Sequence, residues 1–173
     1  MARADFIDFI NQKKPDAATV QQAAMLYVGE LTDDLPTEEL KKVIIESTKD
    51  PAFVERTISE LEKDYQTADS AILTFLAEEW KDPEKAEKIR RAFDSTKKKL
   101  PVIVPILIAT VAMYAIYAVA KVSSGEKKES KHIFKRRPDG TIEETDITKY
   151  EPLATPDQAV KGLFGAIKKA VVG

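Results

Sequence analysis

The chain has 173 residues, of which 32% are charged, and its mean hydropathy of −0.29 excludes a membrane protein with many spans. It has no cysteine, which excludes disulfides and thiolate metal sites, and its single histidine, His132, excludes most histidine-based catalytic and zinc arrangements. The formal net charge is only −2, but residues 1–80 carry 8 Lys/Arg against 17 Asp/Glu, whereas residues 81–137 carry 15 against 6.

The first hundred residues are predicted to be wholly helical. Apolar residues at positions 6–10 indicate a short first helix that ends before Pro15. Asp5 and Asp8 lie within the short apolar N-terminal stretch at 1–10, so we expect no signal peptide. Asp16 is a capping residue, and a broad apolar face follows it. A second helix is therefore predicted to begin at this position.

Three further start signals follow along this acidic half. Residues 32–36 form a predicted loop, after which Thr37 is expected to cap a third helix. The pairs Asp50-Pro51 and Asp82-Pro83 each combine a capping side chain with proline at the first helical position. The apolar spacing between them predicts one long helix or two, with a break near Gln66-Thr67. We therefore expect a bundle of five or six helices over residues 1–98.

An uncharged apolar run occupies residues 100–120. At about 1.5 Å per residue, a helix of this length covers roughly 30 Å, which is the hydrocarbon thickness of a bilayer. Basic residues flank the run on both sides, as is typical of a membrane span. The sequence therefore predicts a transmembrane helix over residues 100–122. A buried core helix is the alternative.

The second half of this run has one polar face and several small residues. The polar stripe consists of Thr110, Tyr114, Tyr117 and Lys121. The small residues are Ala109, Ala112, Ala115 and Ala118. Such a pattern favours helix–helix contact or a polar lumen in an oligomer. Alternatively, the tyrosine belongs to an aromatic belt, the lysine extends to the interface, and the threonine bonds its own backbone.

Basic clusters on both sides of the run are predicted to contact lipid headgroups. They are Lys97, Lys98, Lys99, Lys127, Lys128, Lys135, Arg136 and Arg137. The twenty residues before the span hold 8 Lys/Arg and the twenty after it hold 7, so charge gives almost no orientation. With no signal peptide expected, we place the N-terminal domain in the cytoplasm.

The C-terminal region is predicted in three parts. Residues 123–131 read as a polar linker. Residues 132–154 contain two β-prone runs around Pro138-Asp139-Gly140, which indicates a β-hairpin-like segment. Residues 155–173 have apolar positions at helical spacing and lysines on other faces, so they predict an amphipathic basic helix. This helix lies on a membrane surface, or it docks on the bundle or on a neighbouring subunit.

No catalytic motif is recognised. The acidic pairs Asp33-Asp34, Glu38-Glu39 and Glu78-Glu79 are expected at helix starts or on solvated faces, so we predict no catalytic, cofactor or metal site. The acidic N-terminal domain also makes nucleic acid an unlikely partner.

Taken together, the sequence predicts a mainly α, non-enzymatic, single-pass membrane protein. Its helical domain is expected to assemble or to recognise an unknown protein partner. Its span is expected to self-associate, as a membrane-permeabilising or ion-conducting effector. The alternative is a membrane-anchored structural or adaptor subunit of a larger complex. The expected partners are membrane lipid and other copies of the chain.

Overall fold

The computed structural model describes residues 2–96, 105–123, 131–147 and 156–172. These residues form eight helices and one two-stranded antiparallel sheet. In chain order the elements are α1 (Ala2–Lys13), α2 (Ala17–Leu31), α3 (Thr37–Thr48), α4 (Pro51–Lys63), α5 (Tyr65–Glu79), α6 (Pro83–Asp94), α7 (Pro105–Ser123), β1 (Lys131–Arg136), β2 (Ile142–Ile147) and α8 (Pro156–Val172). The predicted mainly helical fold with a small hairpin is confirmed.

Aspartate side chains begin several of the N-terminal helices. The Asp16 carboxylate accepts a hydrogen bond from the backbone N–H of Thr19 at 2.8 Å, at the start of α2. Asp50 accepts from the N–H of Phe53 at 3.1 Å at the start of α4, and Asp82 caps α6 in the same way. These bonds satisfy backbone donors that have no partner within the helix. The three predicted starts are therefore confirmed.

Two predicted boundaries differ from the structure. Thr37 is the first residue of α3 rather than its cap, because Pro36 holds the capping position and makes no side-chain bond there. The break between α4 and α5 falls at Asp64 rather than at 66–67. Asp64 accepts from the backbone N–H of Thr67 at 3.2 Å and from its hydroxyl at 2.6 Å. A capping aspartate thus fixes the start of α5.

The apolar helix α7 lies inside the bundle. It packs against α2, α3, α4, α5 and α8. Ala109, Ala112 and Ala115 have no exposed surface, and the larger Met113 and Ile116 are also buried. Small residues let neighbouring helix backbones approach closely, and a helix that is apolar on every side suits a position enclosed by others. The apolar character of α7 is thus accounted for by burial within the fold.

The predicted membrane span is wrong. None of the helices in the described ranges has both the length and the apolar character needed to cross a bilayer. α7 begins at Pro105, and residues 100–104 lie outside the described residues. The predicted single-pass membrane location, the membrane-effector and ion-channel function and the membrane-anchored alternative are corrected with it. The physical reason is that burial by neighbouring helices requires the same all-round apolar surface as lipid does.

Three residues of the polar stripe, Thr110, Tyr114 and Tyr117, have partners within the chain. The Thr110 hydroxyl donates to the carbonyl of Ile106 at 2.8 Å, so it is satisfied by its own helix. The Tyr114 ring lies edge-on to Phe75 with centroids 6.2 Å apart, and burial raises the pKa of its hydroxyl. Tyr117 is buried, with its ring centroid 6.0 Å from that of Tyr114. These side chains lie among the chain's own helices.

The amphipathic helix α8 docks on the bundle, against α3, α5 and α7. Its Phe164 meets Phe53 of α4 edge-on, with ring centroids 6.4 Å apart. Its Lys168 ammonium lies 2.9 Å from the Glu60 carboxylate. Of the three predicted positions for this helix, docking on the bundle is the one observed.

Candidate ligand-binding cleft

A cavity of about 500 Å³ opens between the start of α5, the β-hairpin and the last turn of α8; we call it the hairpin cleft. Ligand pockets in proteins commonly have volumes of about 300 to 1,000 Å³. The residues that line the hairpin cleft are Tyr65, Gln66, Asp69, Lys135, Arg136, Arg137, Pro138, Glu143 and Val171.

The hairpin is held against α5 by buried polar side chains. The Ser70 hydroxyl donates to the carbonyl oxygen of Phe134 at 2.5 Å, and the backbone N–H of Phe134 donates to the Thr74 hydroxyl at 3.1 Å. Ser70 and Thr74 are four residues apart, so they lie on the same face of α5. The outer edge of β1 thereby pairs with side chains of a helix, as a strand edge pairs with its neighbour in a sheet.

A buried ion pair strengthens this attachment. The Arg136 guanidinium donates to both carboxylate oxygens of Asp69, at 3.1 and 3.3 Å, and to the carbonyl of Pro15 at 2.7 Å. The side chains of Arg136 and Asp69 are only 18% and 6% exposed. Burial raises the pKa of Asp69 above its usual value, although the guanidinium acts in the opposite direction. The arginine therefore links the hairpin to α5 and to the segment that precedes α2.

The rim of the cleft is more exposed. Lys135 and Glu143 are directly opposite each other on β1 and β2, and their charged atoms are 3.5 Å apart. The Lys135 ammonium also donates to the carbonyl of Ala170 at the end of α8, at 3.3 Å. The Arg137 guanidinium donates to the other oxygen of Glu143 at 3.2 Å and holds the pKa of that carboxyl below its usual value. One carboxylate thus orients two cations.

The turn between the strands places Arg137. Its N–H donates to the carbonyl of Thr141 at 2.7 Å, and its carbonyl accepts from Gly140 at 3.0 Å. Gly140 has a φ of 91°, a conformation that favours glycine. The Asp139 carboxylate accepts from the N–H and the hydroxyl of Thr141, and these bonds lower the pKa of Asp139. This end of the hairpin also contacts α1, because the Ile142 N–H donates to Asn11 at 2.9 Å.

Tyr65 is an aromatic residue at the rim of the cleft, and 63% of its surface is exposed. It is the first residue of α5, so the cap at Asp64 fixes its position beside the hairpin. Val171 lies at the same rim, and the next residue, Val172, is 87% exposed. The cleft therefore combines cations with apolar surface that a ligand can cover.

The structure brings together only part of the predicted site. Lys135, Arg136 and Arg137 line the cleft, whereas Lys97–Lys99, Lys127 and Lys128 lie outside the described residues. Among the described side chains, neither Thr110, Tyr114 and Tyr117 of the stripe nor the small residues of α7 line it. Ala118 is half-buried, and Lys121 lies near the end of the helix.

Sequence reasoning missed Tyr65, Asp69 and Glu143. A signal existed for the second of these, because Asp69, Ser70 and Thr74 interrupt an otherwise apolar stretch of the sequence at 68–77, which the structure shows to be buried. Buried polar groups require hydrogen-bond partners, so this stretch indicates that another element packs there.

Within the described ranges, no group of three or more metal-binding side chains is suitably placed to hold a metal ion. Comparison of the chain with protein-family models, with curated proteins and with solved structures found no match.

Proposed function

We propose that this chain is a non-enzymatic binding protein that takes an anionic ligand in the hairpin cleft. The observation that carries the proposal is the convergence of three consecutive cations, Lys135 to Arg137, with the exposed ring of Tyr65 in one cavity. The helices serve as the scaffold that holds these groups in place. The predicted protein partner would be recognised through this cleft.

The three cations have different parts in this proposal. Arg136 is committed to the fold, because its contacts to Asp69 and Pro15 are short and largely buried. Arg137 is 50% exposed, and only one of its five N–H donors has an acceptor among the described residues. It is therefore the main donor for an incoming carboxylate or phosphate oxygen. Lys135 adds positive charge at the same rim.

The lining groups favour binding over catalysis. The described lining residues include no histidine, cysteine or serine that could act as a nucleophile–base pair. Asp69 is enclosed by its bonds to Arg136, and Glu143 is held ionised by Arg137. A carboxylate with a lowered pKa is a weak general base near neutral pH.

The proposal is tested by titrating the full chain with succinate and with inorganic phosphate. We expect chemical shifts of backbone amides around residues 65–69, 135–143 and 171 to change and to saturate at millimolar anion. Arg137→Gln should weaken both titrations several-fold without loss of folding, because the ion pair it breaks is exposed.

Arg90→Gln is the matched control. Arg90 is 46% exposed and pairs with one carboxylate, that of Glu87 at 3.5 Å, and its guanidinium also lies 4.6 Å from the centroid of the Trp80 ring; it stands on α6, away from the cleft. Its variant should leave the titrations unchanged. Shift changes spread evenly over the basic surface, or an equal loss in both variants, would refute a site at the hairpin cleft.

A further inference from the structure

We infer that the ligand is a short peptide segment in which an acidic residue stands next to an apolar residue. This inference rests on the proposed function, because it names the class of anion that the hairpin cleft takes. Three features of the cleft support it: its mixed charge, its remaining hydrogen-bonding capacity and its apolar rim.

The mixed charge disfavours a polyanion. Glu143 and Asp69 line the same cavity as the three cations, so a phosphate-rich ligand would bring several negative charges close to two carboxylates. Like charges placed together reduce affinity and so exclude wrong partners. A peptide carries one carboxylate beside backbone N–H donors, and this pattern complements a cleft that has both signs of charge.

The cleft offers a ligand both a hydrogen-bond donor and a hydrogen-bond acceptor. Arg137 is the exposed donor that can hold the acidic side chain. Glu143 uses one contact on each oxygen, to Lys135 and to Arg137, and each carboxylate oxygen can accept two. It can therefore accept a backbone N–H of the peptide. Asp69 cannot do so readily, because its side chain is only 6% exposed, against 34% for Glu143.

The apolar rim provides the contact for the neighbouring residue. The ring of Tyr65 is 63% exposed, and Pro138 and Val171 line the cavity with it. Tyrosine often dominates binding energy at interfaces, because its large rigid ring loses little conformational entropy on burial. An apolar side chain next to the acidic residue would cover this ring while the carboxylate meets Arg137.

The test uses the full chain and blocked hexapeptides of glycine and serine that contain one glutamate followed by one leucine. Matched peptides replace the glutamate by glutamine or the leucine by serine. Calorimetry and amide shifts should show each replacement weakening binding about tenfold. ATP and inorganic phosphate are titrated as the alternative anions.

Variants assign each preference to a residue. Arg137→Gln should remove the preference for glutamate over glutamine, and Tyr65→Ala should remove the preference for leucine over serine. The controls are Arg90→Gln and Leu26→Ala, since Leu26 is an exposed apolar residue, 43% accessible, on α2. Neither control should change either preference.

The outcomes separate the two proposals. If ATP or phosphate shifts the cleft amides and binds more tightly than the glutamate–leucine peptide, the peptide inference is overturned while the binding function stands. If the three peptides bind equally, the inference is likewise overturned. If none of the anions or peptides shifts the cleft amides, both proposals fall.

Discussion

Removing Arg136 should make folding stability depend on the protonation of Asp69. Arg136→Met keeps an apolar stem but leaves a carboxylate that is 6% exposed without its cation, and it also removes the donor to Pro15. Breaking a buried ion pair from one side costs about 3 to 5 kcal/mol, because a charge remains buried without compensation. We therefore expect a loss of this size at pH 7, measured by urea unfolding followed by circular dichroism.

The dependence on pH has a definite sign. The pKa of Asp69 in the folded protein is already raised by burial, and loss of Arg136 removes the interactions that lower it. A carboxyl group whose pKa is higher in the folded than in the unfolded protein stabilises the fold at a pH below its unfolded pKa of about 4. This stabilisation is lost as the pH rises through the pKa of the folded state. As the pH is lowered from 7 to 5, the free energy of unfolding of Arg136→Met should therefore rise by up to about 1.4 kcal/mol per pH unit.

Two further variants test whether Asp69 causes this dependence of stability on pH. Asp69→Asn resembles the protonated side chain but leaves the Arg136 guanidinium, 18% exposed, without its counter-ion, so it should also cost about 3 to 5 kcal/mol at pH 7. Asp69→Asn with Arg136→Met should lose the extra pH dependence, because no buried carboxylate remains. The reasoning is refuted if the single Arg136→Met variant and the double variant have the same slope from pH 7 to pH 5.

Three other changes test the fold by the same unfolding measurement. Ala112→Leu adds volume to a side chain with no exposed surface and should lower the free energy of unfolding by about 1 to 3 kcal/mol. Ile106→Leu, at a position of the same helix that is 40% exposed, should change it by less than about 0.5 kcal/mol. Equal effects of the two variants would contradict the central position of α7. Asp64→Ala removes the cap of α5 and should cost about 1 kcal/mol, while an unchanged midpoint would show that the cap is dispensable. Phe134→Ala removes a side chain that is 1% exposed and should lower the free energy of unfolding by about 3 to 5 kcal/mol. Tyr65→Ala removes a largely exposed side chain and should lower it by less than about 0.5 kcal/mol.

Local signals in the sequence were sufficient for most element boundaries. The aspartates at positions 16, 50 and 82 act on backbone groups within three residues, so their role can be read without knowledge of the fold. Position 64 was missed because its aspartate precedes a polar pair, at 66–67, that looked like a loop. The helix resumes there because the cap supports its first turn.

The environment of α7 could not be read from its own residues. Lipid and a covering layer of helices require the same apolar surface, so the run predicts burial but does not say in what. The deciding fact is that α2, α3, α4, α5 and α8 all pack against it. Their apolar faces were visible in the sequence, but the surface that each one covers depends on the arrangement of the whole chain.

The hairpin cleft was hidden for a related reason. The cations at 135–137 were predicted as lipid contacts because their counter-ions are remote in sequence or depend on the strand register. Asp69 lies 67 positions before Arg136, and Glu143 faces Lys135 only because the turn sets that pairing. A basic run gives no indication of which of its members are neutralised within the fold.

The anchoring of the hairpin and the proposed recognition depend on different members of one basic run. Arg136 turns inward to Asp69 and joins the hairpin to α5, while Arg137 stays half exposed at the rim. Since α5 also carries Tyr65 in its first turn, displacing the hairpin would separate the ring from both rim cations. Arg136→Met should therefore reduce stability and peptide affinity together. Arg137→Gln should reduce affinity alone, because its guanidinium holds only a partly exposed carboxylate of the same hairpin.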